Sequence, residues 1–225
     1  MKQLVQSPKS GKIEIVELPY PSVEQKHVLI KNSFSLISAG TESKTIKFGK
    51  SSLIKKALNR PDLVNQVLQN FAKEGLEQTY KKVLNRLDNY STLGYSSSGI
   101  VELSLDDNSE FQKGDRVSCA GQNYASHSEF VSVPQNLVVR IPDKVSDKEA
   151  AFCTIGSIAL QGVRQADPKI GEYVCVIGAG LLGQITCQIL KANGCKVLAI
   201  DIDDEMIKIV NDNKFAFGIN SKNSQ

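Results

Sequence analysis

Histidine is scarce in this chain of 225 residues: there are two, His27 and His127. That scarcity restricts both zinc-site and histidine-base readings. Its five cysteines, Cys119, Cys153, Cys175, Cys187 and Cys195, show no C-x-x-C or other paired spacing. They read as reduced, mostly buried thiols of a cytoplasmic protein. No stretch of 18 apolar residues is present, which excludes an ordinary transmembrane helix. Met1 to Val5 opens no apolar run of signal-peptide length. Charge of neither sign dominates, since 27 Lys and Arg against 24 Asp and Glu leave a net charge of +3. That balance gives no general case for nucleic-acid binding. Repeats and low-complexity tracts are also lacking. What remains is an ordinary globular composition, 41% hydrophobic and 23% charged, at a length that suits one or two domains.

Residues 1 to 42 read as β-rich. Lys12 to Leu18 alternates polar and apolar, and Pro19 and Pro21 break it. His27 to Lys31 is a second strand, and Ser35 to Gly40 leads into a small-residue turn. Residues 43 to 90 change character. Leu63, Val64, Val67, Leu68 and Phe71 recur at helical spacing after Pro61, with Gly75 placed to end that helix. Lys44, Lys47, Lys50, Lys55, Lys56, Lys73, Lys81 and Lys82 make this insert basic. It reads either as a solvated helical surface or as a rim that attracts an anionic substrate such as a phosphorylated sugar. From Leu93 to Pro142 short strands return: Gly99–Leu103, a turn at Gly114-Asp115 feeding Arg116-Val117, Phe130–Val133 and Leu137–Ile141. Their spacing suggests a compact β-barrel-like domain. Ser146 to Ala166 reads as helix, with Ser146 as N-cap and Glu149 at the capping-box position.

The motif that carries chemistry follows. Tyr173 to Ile177 is a continuous apolar run, as expected of a parallel strand buried on both faces. It enters Gly178-Ala179-Gly180-Leu181-Leu182-Gly183, then a helical stretch with Ile185, Ile189 and Leu190 on one side. A second apolar strand, Lys196 to Ile200, ends at Asp201. This G-x-G-x-x-G has the strand, helix, second strand and distant acid that a dinucleotide-binding fingerprint requires. Gly178 permits the tight turn, and Gly180 lets the backbone approach the pyrophosphate with Leu181 and Leu182 opening the helix behind it. Gly183 allows close helix–strand packing. Asp201 can accept from the adenosine ribose hydroxyls, and its charge opposes a 2′-phosphate. The expected cofactor is therefore NAD (NADH) rather than NADP.

A β-rich domain followed by this unit resembles the medium-chain dehydrogenase/reductase superfamily, of the zinc alcohol dehydrogenase type. Gly40-Thr41-Glu42 resembles the stretch after the catalytic cysteine in C-G-T-D. Leu93 to Val101 resembles the G-H-E-x-x-G-x-V segment, and Gly114–Val117 matches G-D-R-V. The I-S-A-G-T-E run, the basic insert and the L-G-Y segment resemble a "bi-domain" oxidoreductase subgroup associated with surface polysaccharide synthesis. The resemblance implies an α/β (α+β) chain. Residues 1–150 would form a GroES-like β-barrel domain with a helical insert at 43–90, and residues 151–225 an incomplete Rossmann NAD-binding domain. Against the family, Ala39 (or Ser38, one position earlier) stands where the cysteine ligand belongs, Tyr95 replaces the histidine and Ser96 the glutamate. Cys153 is the one donor near the third ligand position, and the four-cysteine structural lobe is missing. The expectation is an enzyme without catalytic or structural zinc.

Without zinc, a carbonyl polariser or proton donor must come from side chains. Tyr95 is a candidate acid or a packing aromatic, Thr41 matches the hydroxyl that relays the alcohol proton, and Glu42 follows it. His127 reads as a satisfied surface or turn histidine. After Gly183 the chain supplies a helix, the 197–200 strand, a helix over 204–213 and a strand start at Phe217–Asn220, fewer strands than a doubly wound domain carries. The expectation is an N-terminal fragment that alone holds the adenosine half of NAD and is inactive. Its exposed sheet edge favours self-association, hence a homo-oligomer. The leading function is an NAD-dependent, zinc-independent oxidoreductase acting on the hydroxyl or carbonyl of a small molecule, with an anionic sugar as candidate substrate. No nucleic acid or membrane partner is expected. The alternatives are an enoyl or quinone reductase of the same superfamily and a non-catalytic NAD-binding module.

Overall fold

The computed structural model describes residues 1–7, 10–38, 40, 42–43, 90–106 and 109–223. The helices expected between 44 and 89 lie outside the described residues, as do Ala39 and Thr41. The chain divides into two compact units, Met1–Ala151 and Phe152–Gln225.

The first unit is built from antiparallel strands whose alternating valines and isoleucines face one core. In chain order they are β1 (Lys2–Gln6), β2 (Ile13–Glu17), β3 (His27–Ser35), β4 (Ser91–Thr92), β5 (Ser96–Ser104), β6 (Arg116–Ala120), β7 (Phe130–Pro134) and β8 (Val138–Arg140). Five of them form a sheet in the order β7-β3-β5-β6-β8, and three form a second, β2-β1-β4. Val28, Ile30, Val101, Val117, Val131 and Val133 are all buried in a single cluster. They come from inward positions of β3, β5, β6 and β7, as a period of two dictates. The strand β1 was not among the expected elements. It is tied to the segment before β7 by Leu4 N–H donating to the His127 carbonyl (2.8 Å) and Glu129 N–H donating to Lys2 (3.0 Å).

The helical stretch expected from Ser146 to about Ala166 is present as two helices. The capping box is present: Ser146 Oγ accepts from Glu149 N–H, and the Glu149 carboxylate accepts from Ser146 N–H. It opens α1 (Asp147–Ala150), after which the chain turns at Ala151 and Phe152 into α2 (Cys153–Ala166). The cause lies in the sheet. Ser98 Oγ donates to the Asp147 carbonyl (2.5 Å), Ser118 Oγ to Ala150 (2.8 Å) and Ser96 Oγ to Ala151 (2.6 Å). Three hydroxyls of β5 and β6 thus hold α1 against the sheet and occupy carbonyls at its C-terminal end. Ser96 and Ser98, two of the buried serines of the Leu93–Val101 segment, serve this anchoring.

The Gly114–Val117 motif has a structural role. Arg116 Nε and Nη2 both bond Asp147 Oδ1, at 2.8 and 2.7 Å, and Nη2 also donates to the Val145 carbonyl at 2.6 Å. One guanidinium therefore fastens β6 to the start of α1. Arg116→Met keeps the stem and removes these bonds, so thermal unfolding should show a loss of about 1–3 kcal/mol. An unchanged midpoint would remove this assignment.

The second unit alternates strand and helix: α2, β9 (Tyr173–Ile177), α3 (Leu181–Ala192), β10 (Lys196–Asp201), α4 (Asp204–Asp212) and β11 (Phe217–Asn220). The three strands are parallel, in the order β11-β10-β9. Ala179, Cys187, Ala199, Ile207 and Val210 form its buried cluster, and Val163 of α2 packs with Leu190 and Cys195 in another. Burial raises the Cys187 thiol to about 11, so it stays protonated. The expectation that β9 is buried on both faces is corrected. Tyr173 and Ile177 are 82% and 85% exposed, while Val174 and Val176 between them pack against the helices. The pleat sends alternate residues to opposite faces, and no described helix covers the face of Tyr173, Cys175 and Ile177. Among the described residues no helix is long and apolar enough to cross a membrane.

Candidate functional site

The turn between β9 and α3 is built by backbone constraints. Gly178 has φ +96°, a conformation that side-chain-bearing residues rarely adopt, and its N–H donates to the Ile200 carbonyl at 2.7 Å. Gly183 is buried in the first turn of α3, where a Cβ would overlap the Gly178 carbonyl oxygen. Helix and turn therefore approach as closely as backbone allows. Beside Gly180 a Cβ would meet nothing within 4 Å, so the approach to the turn is open there. Gly180 is the N-cap of α3 with no side-chain cap, and no acidic residue lies in the first turn, which opens with Leu181 and the exposed Leu182. Unbonded N–H groups and the positive end of the helix dipole together suit an anion.

Asp201 ends β10 and is joined directly to this turn. Its Oδ2 accepts from Ala179 N–H at 2.6 Å, and its Oδ1 accepts from Ile202 N–H at 2.7 Å and Asp203 N–H at 3.0 Å. The Ala179 bond, followed by those from Asp203 and Ile202, holds its carboxyl below the usual carboxylate range. It is ionised at neutral pH. A carboxylate offers about four acceptor positions, so a free one remains for a ligand hydroxyl. The link between Ala179 and Asp201 had no signal in the sequence beyond the spacing of the fingerprint. The residues present fit a dinucleotide on two observations, the open space at Gly180 and the remaining acceptor on Asp201.

In the first unit the three acid–base candidates fare differently. Thr41 lies outside the described residues. Tyr95 is half-buried at the entry to β5, with its carbonyl accepting from Gly121 N–H at 3.0 Å. Glu42 is buried, and its Oε1 accepts from Ser38 N–H at 2.9 Å. Its Oε2 lies 3.1 Å from His127 Nε2, and His127 Nδ1 lies 2.8 Å from Ser35 Oγ. His127, expected as a satisfied surface or turn histidine, is satisfied by hydrogen bonds and lies in a bend of the chain, with its side chain 8% exposed. Ser35, which bonds the imidazole, was not a candidate. The segment Ser126-His127-Ser128 carries no periodic signal that would have exposed its partners. Among the described residues no three His, Cys, Asp or Glu side chains come together as a metal site.

No protein-family model matches the chain. An alcohol dehydrogenase of Geobacillus stearothermophilus is 34% identical over 104 residues, covering 43% of this chain and 31% of that protein. The human quinone oxidoreductase is 33% identical over 122 residues, covering 53% of this chain and 37% of that one. The chain spans about a third of the length of these relatives. Among solved structures, a galactitol-1-phosphate dehydrogenase from Escherichia coli has a TM-score of 0.74 at 19% identity, covering all of this chain and 62% of that one. The quinone oxidoreductase of Escherichia coli complexed with NADPH has a TM-score of 0.70 at 18% identity, covering all of this chain and 60% of that one. In fold the chain is similar to these solved structures, an antiparallel β unit followed by alternating parallel strands and helices, and over about half of its length its sequence is similar to these oxidoreductases. Its named relatives are alcohol dehydrogenases and quinone oxidoreductases.

Proposed function

We propose that the protein is an NAD-dependent, zinc-independent oxidoreductase acting on a hydroxyl or carbonyl of a sugar or polyol. A catalytic-type domain would occupy 1–150 and an NAD-binding domain 151–225. The observation that carries the cofactor reading is the ionised Asp201 carboxylate, tied to Ala179 N–H beside the open, uncapped start of α3. Gly178, Gly180, Leu181, Leu182 and Gly183 would hold the pyrophosphate through backbone N–H groups, and Asp201 the adenosine ribose. When bound, the nicotinamide supplies hydride exchange with the substrate carbon. Tyr95, Glu42 and Thr41 are the acid–base candidates of this chain. The zinc-independent reading is supported by Tyr95 and Ser96 at the ligand positions. The sugar substrate rests on the motif resemblance and on the lysines of the insert. For these 225 residues taken alone the proposal is narrower: they hold the adenosine half of the dinucleotide without turnover.

Five free cysteines fit a cytoplasmic setting, and the exposed Tyr173, Ile177 and Phe217 favour self-association. A quinone reductase reading is favoured by the named quinone oxidoreductase relatives, one of which carries NADPH; the charge of Asp201 argues against that cofactor here. A non-catalytic NAD-binding module shares the same site. Calorimetric titration tests the shared core of these readings. ADP-ribose should bind, nicotinamide mononucleotide should not, and 2′-phospho-ADP-ribose should bind at least about tenfold more weakly, or roughly 1.4 kcal/mol. Equal affinity for the phosphorylated form would sink the NAD assignment.

A further inference from the structure

Ala179 is fully buried in the turn between β9 and α3, while Gly178 and Gly180 on either side of it are exposed. Glycine leaves the backbone free, so the peptides flanking Ala179 could turn over at little cost. Two side chains prevent it. Asp201 Oδ2 accepts from Ala179 N–H at 2.6 Å, which fixes the peptide before this residue. Gln184 Nε2 donates to the Ala179 carbonyl at 2.9 Å, which fixes the peptide after it. Peptide units are planar, so holding one end of each sets both soft dihedrals of Ala179.

Gln184 reaches the turn because helical side chains lean toward the N-terminus of their helix. It is half-buried, and its Nε2 also lies 3.7 Å from Met206 Sδ of α4. A carbonyl and a thioether only accept, so the side-chain amide must turn its NH2 toward them and not its oxygen. The backbone N–H of the same residue donates to the Gly180 carbonyl at 2.9 Å. Gln184 therefore engages two successive carbonyls, those of Ala179 and Gly180. In a trans peptide the N–H points opposite to the carbonyl of the same plane. The N–H groups of Gly180 and Leu181 are accordingly turned away from Gln184, toward the uncapped start of α3. If the Ala179 carbonyl were released and its peptide turned over, an oxygen would replace the Gly180 N–H on that side and repel an anion. As a stabiliser alone the contact achieves little, because the rotamer freedom lost by a long side chain is about as large as a neutral hydrogen bond returns.

We propose that Gln184 is a positioning residue of the dinucleotide site: by holding the Ala179 carbonyl it keeps the Gly180 N–H aimed at the pyrophosphate. This rests on the dinucleotide reading above. Gln184 acts through the backbone and touches no part of the ligand. Asp201 and Gln184 divide the work, one holding the N–H of Ala179 and the other its carbonyl.

The test is titration of ADP-ribose and of adenosine into the full chain as wild type, Gln184→Met and Gln184→Glu. Methionine keeps the length of the side chain and removes the donor. Gln184→Met should weaken ADP-ribose about tenfold, or roughly 1.4 kcal/mol. Adenosine carries no phosphate, and its affinity should stay within about twofold of wild type. In Gln184→Glu an ionised carboxylate has no hydrogen to donate, so ADP-ribose should again bind weakly at neutral pH. Its affinity should return as that carboxyl protonates near its ordinary value of about 4.3, while Asp201, held below the usual range, stays ionised. Gln184→Met should show no such return. An unchanged ADP-ribose affinity in Gln184→Met overturns the positioning role, as does an equal loss for adenosine, which marks a general loosening of the unit. A Gln184→Glu affinity that stays low in acid overturns it too. Nitrogen NMR of the wild type needs no variant: the Gln184 side-chain NH2 should exchange with water more slowly than a free amide, and equal exchange overturns the contact itself. ADP-ribose binding by the wild type separates the two proposals. Binding that Gln184→Met leaves intact overturns the positioning role alone. A protected Gln184 amide in a wild type that does not bind overturns the dinucleotide reading, and the positioning role falls with it.

Discussion

Gly183→Ala is expected to abolish ADP-ribose binding and to lower the stability of the Phe152–Gln225 unit by about 3 kcal/mol, at the upper end of the usual cost of overpacking. The added Cβ would overlap the Gly178 carbonyl oxygen. That carbonyl belongs to a residue at φ +96° whose N–H is already bonded to Ile200. It cannot rotate away without breaking the link between the turn and β10. The remaining relief is to lift the first turn of α3 from β9, which moves the N–H groups meant for the pyrophosphate. Two effects of opposite sign meet here. Alanine in a helix interior gains about 1 kcal/mol over glycine in intrinsic propensity. A measured net loss therefore reports the steric term winning. Thermal unfolding and calorimetric titration check both parts. A variant with an unchanged midpoint and unchanged ADP-ribose affinity would show that α3 and the turn do not approach this closely.

What was legible in the sequence was local. The residues of the dinucleotide turn are contiguous, and strand β9, helix α3 and strand β10 each announce themselves by their own periodicity within about 30 residues. Ser146 and Glu149 name each other across three positions. The features that escaped depend on what a residue meets far along the chain. The break between α1 and α2 is caused by hydroxyls from Ser96, Ser98 and Ser118, up to 55 residues away. Tyr173 and Ile177 have the composition of a buried strand, and only the tertiary layout shows that one face is open. Strand β1 places Gln3 and Gln6 inside, which hides its alternation from a hydropathy reading. Of the acid–base candidates, Glu42 was found through its motif neighbours. Its partner His127 could not be, since a hydrogen bond spanning 85 residues leaves no trace in local spacing. The same distances explain why the second unit was easier to read than the first. A βαβ unit is made of contacts between successive elements, whereas the first unit pairs β3 with β7 and β1 with β4 across long separations.

Asp201→Asn should lower ADP-ribose affinity by about tenfold or more and narrow the preference over 2′-phospho-ADP-ribose by at least as much. Hydrogen bonds to a charged group contribute about 1.5–3 kcal/mol. The side chain has two tasks that asparagine cannot perform together. As a carboxylate it accepts from three backbone N–H groups, with Oδ2 on Ala179 and Oδ1 on Ile202 and Asp203. Asparagine has one oxygen. It can serve the turn or the residues after β10, and its amide nitrogen then faces N–H donors on the other side. The loss of charge acts separately, removing the repulsion that a 2′-phosphate would meet. Its effect should therefore appear as a relative gain for the phosphorylated ligand even while both affinities fall. Asp201→Ala strips the acceptors as well, so it should cost more stability than Asp201→Asn while showing the same relaxed preference. The pH dependence follows from the lowered folded-state pKa. The contribution of Asp201 to stability is fully present above the unfolded carboxylate value and is lost as pH falls through the folded one. Wild-type preference for ADP-ribose should accordingly hold through the neutral range and fade only in acid, where Asp201→Asn shows no such step. A preference that is unaltered in Asp201→Asn would place the discrimination elsewhere and remove the argument for NAD.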